Sequence, residues 1–175
     1  TFNSNQASND KGGALYLTTT QMILFDGCTF YNNKCHNPDS TQGKQGGAVY
    51  ISKCSSISLT ATTFTNNYAN NGHAIFIEDI PSANIFGCTF DSNSNTQQRE
   101  GSQIASKCAE LVLYDTTLKF DGKRIPARGI EIFKQCSTSF VNCKFLNCNI
   151  SQEGGAICIR EDLVTNRTEA LTLDN

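Results

Sequence analysis

Residues 46–67 read GGAVYISKCSSISLTATTFTNN, and this stretch contains three short patterns that together decide the fold. GGAVYI at 46–51 is a small-residue turn followed by alternating apolar positions. Ile57 and Leu59 form a second alternating pair, and Phe64 is followed three residues later by Asn67. Apolar residues at every second position are typical of a β-strand with one buried face. The stretch therefore predicts three short strands joined by tight turns.

The same three patterns recur in the same order along the whole chain. The Phe pattern is found at Phe2/Asn5, Phe30/Asn33, Phe64/Asn67 and Phe90/Asn93, with weaker copies at Leu118/Asp121 and Phe145/Cys148. The turn pattern is found at 12–17, 46–51, 72–77 and 154–159, with degenerate copies at 101–106 and 127–132. The alternating pair is found at Ile23/Phe25, Ile57/Leu59, Ala83/Ile85, Leu111/Leu113, Thr138/Phe140 and Leu171/Leu173. Three strands that repeat every 26 to 34 residues indicate a solenoid whose strands pair from coil to coil.

We therefore predict an all-β fold, a right-handed single-stranded parallel β-helix of the pectin-lyase-like solenoid type with about six coils. Residues 1–175 form a single segment, and we expect it to be a fragment of a longer chain that continues with further coils. Inward side chains should stack at about 4.8 Å, with Phe64 between Phe30 and Phe90. The Asn residues that follow the Phe positions are expected to hydrogen-bond in a ladder.

The corner three residues before each Phe position favours residues that tolerate a left-handed backbone. These corner residues are Gly27, Ala61, Gly87, Asp115, Asn142 and Asn175. Such a position bends the chain between two strands.

The repeat resembles that of the polymorphic outer membrane proteins of chlamydiae. The residues that carry the resemblance are GGAL 12–15, GGAV 46–49 and GGAI 154–157, with FNSN 2–5, FYNN 30–33, FTNN 64–67 and FDSN 90–93. The sequence departs from the motif at GSQI 101–104 and ARGI 127–130. The resemblance implies a β-helical passenger segment associated with adhesion to host cells, and it implies no catalytic residue.

Nine cysteines occur in the 175 residues. Cys28, Cys88 and Cys143 lie two residues before a Phe position and two coils apart, beyond the reach of a disulfide, so we predict buried thiols. Cys108 and Cys136 fall in adjacent coils at similar positions and are able to meet. No Cys or His spacing typical of zinc is present, so no metal and no cofactor is predicted.

Charge and composition exclude several classes of function. A net charge of −2 argues against a nucleic-acid partner, and the absence of a long apolar run argues against membrane insertion of this segment. Lyases of this fold need acidic Ca²⁺ ligands and a basic residue on the outer face, and hydrolases need paired carboxylates at a set separation. The main charged cluster, Asp115, Asp121, Lys123, Arg124 and Arg128, lacks that pattern. We predict that the segment is not an enzyme, with a polysaccharide lyase or hydrolase as a disfavoured alternative.

Two surfaces are candidates for binding a partner. The first is an outward aromatic row, Tyr16, Tyr50 and Phe76, which we expect to be covered by a partner chain or another part of the parent. The second is a corner of variable length at 34–45, 94–100 and 122–128, in which Lys123, Arg124 and Arg128 are candidates. The partner is expected to be a protein or a host-surface ligand.

These observations favour a segment of a large microbial surface protein that acts as an adhesin or spacer, at the cell surface or secreted. The alternative is an internal scaffold component of a large assembly, such as a cytoskeletal one. Thiols favour a reducing compartment, whereas the sequons at Asn149 and Asn166 favour secretion.

Overall fold

Three parallel sheets run along the chain, and each contains six strands, one from every coil. The computed structural model describes residues 1–8, 11–36, 44–94, 101–121, 127–133, 136–148, 154–160 and 171–174. Five successive turns lead from the first rung of each sheet to the sixth. The predicted all-β parallel solenoid is confirmed.

Sheet 1 contains the Phe pattern, sheet 2 the small-residue turn pattern and sheet 3 the alternating pair. The strands of sheet 1 are β1 (Phe2–Asn3), β5 (Thr29–Tyr31), β9 (Thr63–Thr65), β12 (Thr89–Asp91), β15 (Thr117–Lys119) and β18 (Lys144–Leu146). Those of sheet 2 are β3 (Leu15–Thr18), β7 (Val49–Ser52), β10 (Ile75–Glu78), β13 (Ser102–Lys107), β16 (Arg128–Phe133) and β19 (Ile157–Arg160). Those of sheet 3 are β4 (Met22–Asp26), β8 (Ser56–Thr60), β11 (Ser82–Phe86), β14 (Glu110–Tyr114), β17 (Ser137–Val141) and β20 (Leu171–Asp174). A small fourth sheet pairs β2 (Gln6–Ala7) with β6 (Lys34–Cys35).

The strands pair in the register that the repeated patterns predict. In sheet 1, Phe64 lies opposite Phe30 on one side and Phe90 on the other. The ring centroids are 4.8 Å apart in both pairs, with planes within 4° of parallel, and all three rings are fully buried. The stack is thus continuous from coil to coil, and the interior of the solenoid is filled by side chains from each rung.

A ladder of buried amides runs beside the Phe stack and confirms the predicted hydrogen bonding. Asn33 Nδ2 donates to Asn67 Oδ1 at 2.9 Å, and Asn67 Nδ2 donates in turn to Asn93 Oδ1 at 2.9 Å. Each of these carboxamides also donates to a backbone carbonyl, as Asn67 Nδ2 does to Phe30 O at 2.9 Å. The ladder stays satisfied in the interior because every amide accepts from one coil and donates to the next.

Gln103 extends this ladder, although the sequence did not predict it. Its Oε1 accepts from Asn93 Nδ2 at 2.8 Å, and its Nε2 donates to Lys119 O at 3.2 Å. Gln103 stands in sheet 2, one residue before Ile104. Asp121, which occupies the sequence position of the ladder in that coil, is exposed.

The predicted left-handed corners are confirmed at every position that the structure describes. The five residues Gly27, Ala61, Gly87, Asp115 and Asn142 all have φ between 47° and 59°, and Asn175 lies outside the described residues. A Cβ built on Gly27 or Gly87 would meet nothing within 4 Å. Glycine is therefore favoured there by backbone conformation alone.

The nine cysteines are all thiols. The predicted burial of the inward ladder is confirmed for Cys88, whereas Cys28 and Cys143 are only half-buried. The threonines between them complete that ladder: Thr62 Oγ1 accepts from Cys28 N at 3.3 Å and donates to Thr60 O at 2.9 Å. Cys108 and Cys136 do meet, with their sulfur atoms 3.7 Å apart.

Candidate partner-binding surface

The outer face of sheet 2 carries the predicted aromatic row. Tyr16, Tyr50 and Phe76 lie opposite one another in β3, β7 and β10. The ring centroids are 5.4 Å apart between Tyr16 and Tyr50 and 5.8 Å apart between Tyr50 and Phe76, with nearly parallel planes. The predicted stacking is thus confirmed.

The row is not, however, an exposed patch of three rings. Tyr16 is 57% exposed, but Tyr50 is 2% and Phe76 0% exposed. On the outer face of sheet 2, Tyr50 and Phe76 form a small apolar cluster with Ala105, and Phe133 packs against it. The expected cover from a partner chain or another part of the parent is therefore already supplied within this segment for two of the rings. Only Tyr16 remains available to a partner.

A charged cluster lies over the row and explains part of this burial. Lys11 Nζ donates to Tyr50 Oη at 2.7 Å and lies 4.1 Å from the centre of that ring. Tyr50 donates its hydroxyl to Glu78, which also pairs with Lys107 at 3.2 Å and with Lys11 at 3.6 Å. Lys107 Nζ lies 5.6 Å from the ring of Phe76. The contacts of this cluster thus connect four successive coils from the outside.

The contacts within this cluster shift the pKa values of three of its members. Burial and the hydrogen bond to Glu78 raise the pKa of Tyr50, so its hydroxyl stays protonated at neutral pH. Burial alone would raise the pKa of Glu78, but hydrogen bonds from Tyr50 and Lys107 outweigh it and lower that pKa. The hydrogen bond to Tyr50 likewise raises the pKa of Lys11, against the opposing effect of burial. These shifts favour an ammonium at Lys11, a carboxylate at Glu78 and a neutral phenol at Tyr50.

Arg128 was predicted to be a surface residue of the variable corner, and this prediction is wrong. Its side chain is fully buried, and its Nη1 lies 3.8 Å from Glu131 Oε1. Glu131 is itself 3% exposed and accepts a hydrogen bond from Arg160. A buried guanidinium requires such a counter-charge, so Arg128 belongs to an ion cluster with Glu131 and is not a surface residue. Lys123 and Arg124, as well as most of the variable corner, lie outside the described residues.

A second aromatic pair, which the sequence analysis missed, is exposed on the outer face of sheet 3. Phe86 and Tyr114 lie opposite each other, 49% and 41% exposed. Their ring centroids are 5.2 Å apart and the planes are within 7° of parallel. Each follows an inward residue of the alternating pair, Ile85 or Leu113. An aromatic residue directly after the second inward residue of the alternating pair is the sequence pattern that would have identified them.

The family model described as a right-handed beta helix region matches residues 1–163. The chain belongs to the right-handed beta helix family. No curated protein and no solved structure matches it. The family match agrees with the three parallel sheets and gives the hand of the coil.

In the part of this right-handed β-helix that the structure describes, no group of three or more His, Cys, Asp or Glu side chains is arranged to hold a metal ion. The same residues include no helix of the length and hydropathy needed to cross a membrane.

Proposed function

We propose that this β-helix is a non-catalytic segment of a large microbial surface protein, in which it acts as an adhesin or a spacer. The observation that carries the proposal is that the two sides of its sheets carry different kinds of side chain. The inner sides are filled by stacked apolar and amide ladders, whereas aromatic rings are exposed on the outer sides at Tyr16, Phe86 and Tyr114. Exposed aromatic side chains grouped on a sheet face are typical of interaction surfaces.

The resemblance of the repeat to chlamydial polymorphic outer membrane proteins supports the same proposal. In this chain, the motifs that carry the resemblance contribute to packing and hydrogen bonding. The second glycine of GGAV, Gly47, leaves no room for a Cβ, which would come within 2.0 Å of His73 O. The Asn of FTNN, Asn67, forms the buried ladder. The motifs thus account for the fold, and the adhesive role depends on the outer faces.

An internal scaffold component is the second candidate, and the nine thiols favour it. Cys35, Cys54, Cys88, Cys108, Cys136 and Cys158 are buried. Thiols persist in reducing compartments, whereas extracellular domains usually oxidise cysteines that lie close together. The compartment of the parent protein therefore separates the two candidates.

Labelling of intact cells tests the proposal. Cells that produce the parent are treated with a membrane-impermeant, amine-reactive reagent, and the lysines of this segment are mapped by mass spectrometry. We expect Lys34, Lys53 and Lys144, which are exposed, to be labelled on intact cells. Lys44 is 3% exposed and serves as the control, because its labelling would report an unfolded segment. Labelling only after cell lysis would reject the surface location and favour the scaffold.

A further inference from the structure

Cys108 and Cys136 are adjacent thiols on the corner between sheets 2 and 3. Their sulfur atoms are 3.7 Å apart, and the two residues are 2% and 4% exposed. Cys54 stands at the same corner of the second coil, where its sulfur lies 3.0 Å from the hydroxyl of Thr20. Cys108 and Cys136 are therefore the two cysteines that this corner brings together.

The backbone around the pair is fixed at the spacing of adjacent coils. Ala109 N donates to Ile80 O at 2.9 Å, and Ser137 N donates to Ala109 O at 2.9 Å. Hydroxyl groups also lie against both sulfurs: Ser106 Oγ is 2.8 Å from Cys108 Sγ, and Thr138 Oγ1 is 3.6 Å from Cys136 Sγ. Coils that are about 4.8 Å apart place the Cα atoms within the range that a disulfide spans. The sulfurs need to approach by about 1.7 Å to reach the bond length of about 2.05 Å, which rotation of the two side chains supplies.

We propose that Cys108 and Cys136 are a modification site, a thiol pair that a small-molecule disulfide oxidises to a covalent bond between the fourth and fifth coils. The Cys108 thiolate attacks one sulfur of the oxidant, releases one thiolate and forms a mixed disulfide. Cys136 then attacks the Cys108 sulfur and displaces the second thiolate. The two protein S–H bonds are lost, one S–S bond forms, and the oxidant is reduced to two small thiols.

Burial controls the rate of this reaction. The hydrogen bond with Cys136 and the burial of the sulfur both raise the pKa of Cys108. The thiolate is therefore scarce in the closed state, and the attack needs a local opening of the corner. The same burial slows the attack of reductants on the finished bond. The bond would join two coils that otherwise interact through hydrogen bonds and side-chain packing, and its formation does not depend on the adhesive role proposed above.

The test uses the whole chain, purified as the thiol form and incubated with oxidised glutathione below its thermal midpoint. Remaining thiols are alkylated, and proteolytic peptides are mapped by mass spectrometry. We expect a linked peptide that joins Cys108 to Cys136, and alkylation of the other seven cysteines. The thermal midpoint of the oxidised chain should rise by about 6–12 °C and return after treatment with dithiothreitol.

Variants at the same corner provide the controls. Cys54→Ser should form the same linked peptide at the same rate as the unmodified chain. Cys108→Ser and Cys136→Ser should form none and should show no midpoint shift, with alanine substitutions as replacements if serine prevents folding. Scrambled pairings, a stable glutathione adduct without the linked peptide, nine alkylated thiols at equilibrium, or a midpoint lowered by oxidation would each overturn the proposal.

Discussion

Ala61 adopts a backbone conformation that an L-amino acid with a side chain disfavours. Its φ is 47°, in the left-handed region, where the corresponding corner residues Gly27 and Gly87 have no Cβ. The left-handed conformation costs a residue with a Cβ about 1–2 kcal/mol, while glycine costs about 0.5–1 kcal/mol more entropy on folding. We expect Ala61→Gly to raise the free energy of unfolding by about 0.5–1 kcal/mol, measured by urea denaturation. Gly27→Ala, at the same corner of the preceding coil, should lower it by a similar amount. Equal signs for the two substitutions would contradict this account of the corner.

His73 makes the stability of the fold depend on pH. Burial lowers its pKa to about 4 from the usual value near 6.5, so the folded chain keeps this imidazole neutral. The unfolded chain takes up the proton as the pH falls below about 6.5, whereas the folded chain does so only near 4. The contribution to stability is thus complete above pH 6.5 and is lost as the pH falls toward 4, by up to about 3 kcal/mol.

A comparison of variants isolates this effect from the titration of carboxylates. Urea midpoints of the unmodified chain and of His73→Gln are measured at pH 7.0, 6.0 and 5.0. The difference between the two should shift in favour of the glutamine variant as the pH falls. His36→Gln keeps His73 and is the control for the replacement of a histidine by glutamine. Parallel profiles for all three proteins would show that His73 is not the cause.

At the scale of elements, the amide ladder depends on donors and acceptors that alternate from coil to coil. Asn67→Asp replaces the Nδ2 donor by an oxygen that would face two acceptors, Phe30 O and Asn93 Oδ1, both now at 2.9 Å from Nδ2. We expect a loss of at least about 3 kcal/mol in the free energy of unfolding at pH 7, because a buried carboxylate would face two acceptors to which the amide now donates. Asn84→Asp, the same substitution on the exposed face of β11, should change it by less than about 0.5 kcal/mol. Similar costs at the two positions would mean that the ladder is not a major source of stability.

The Phe stack provides a second test of the register. Phe64 is fully buried between two parallel rings, whereas Thr63 next to it points outward and is half-buried. Phe64→Ala should cost about 3–5 kcal/mol, as expected for the loss of a large core side chain. Thr63→Ala should change the free energy of unfolding by about 0.5 kcal/mol or less. Chemical denaturation of both variants measures the difference, and equal shifts of the midpoint would contradict the assignment of inner and outer faces.

The inner faces of these elements were predictable from the sequence, because a period of two residues fixes which side chains point inward. The same pattern also indicates the register, since one Phe position follows another in every coil. Gln103 was missed because its side chain reaches the ladder from sheet 2, a contact that no repeat spacing encodes. The burial of Tyr50 was missed for a related reason. It points outward as predicted, but Lys11 and Phe76 from other coils cover its ring. Outward direction follows from local alternation, whereas exposure depends on contacts between coils.

At the scale of the whole molecule, the three sheets link residues that are distant in sequence by pairing each coil with the next. On the outer face, one cluster connects successive coils as the Phe stack does on the inside. Each of its members comes from a different coil: Lys11, Tyr50, Glu78 and Lys107. A solenoid of paired coils suits a spacer as well as an adhesin. The two roles differ in whether the exposed aromatic side chains contact a partner.

Tyr16 separates the adhesin from the spacer. It is 57% exposed and stacks only on its Tyr50 side among the described aromatic contacts, so Tyr16→Ser should preserve the fold. Tyr31 is 43% exposed on sheet 1 and is the matched control. If the segment is an adhesin, Tyr16→Ser should reduce binding of the fluorescently labelled chain to cultured host cells by about tenfold, the effect of losing roughly 1.4 kcal/mol at an aromatic contact. Tyr31→Ser should bind as the unmodified chain does, and urea denaturation should confirm that both variants are folded. Equal binding by all three proteins would exclude Tyr16 from the contact surface, and no binding by any of them would favour the spacer.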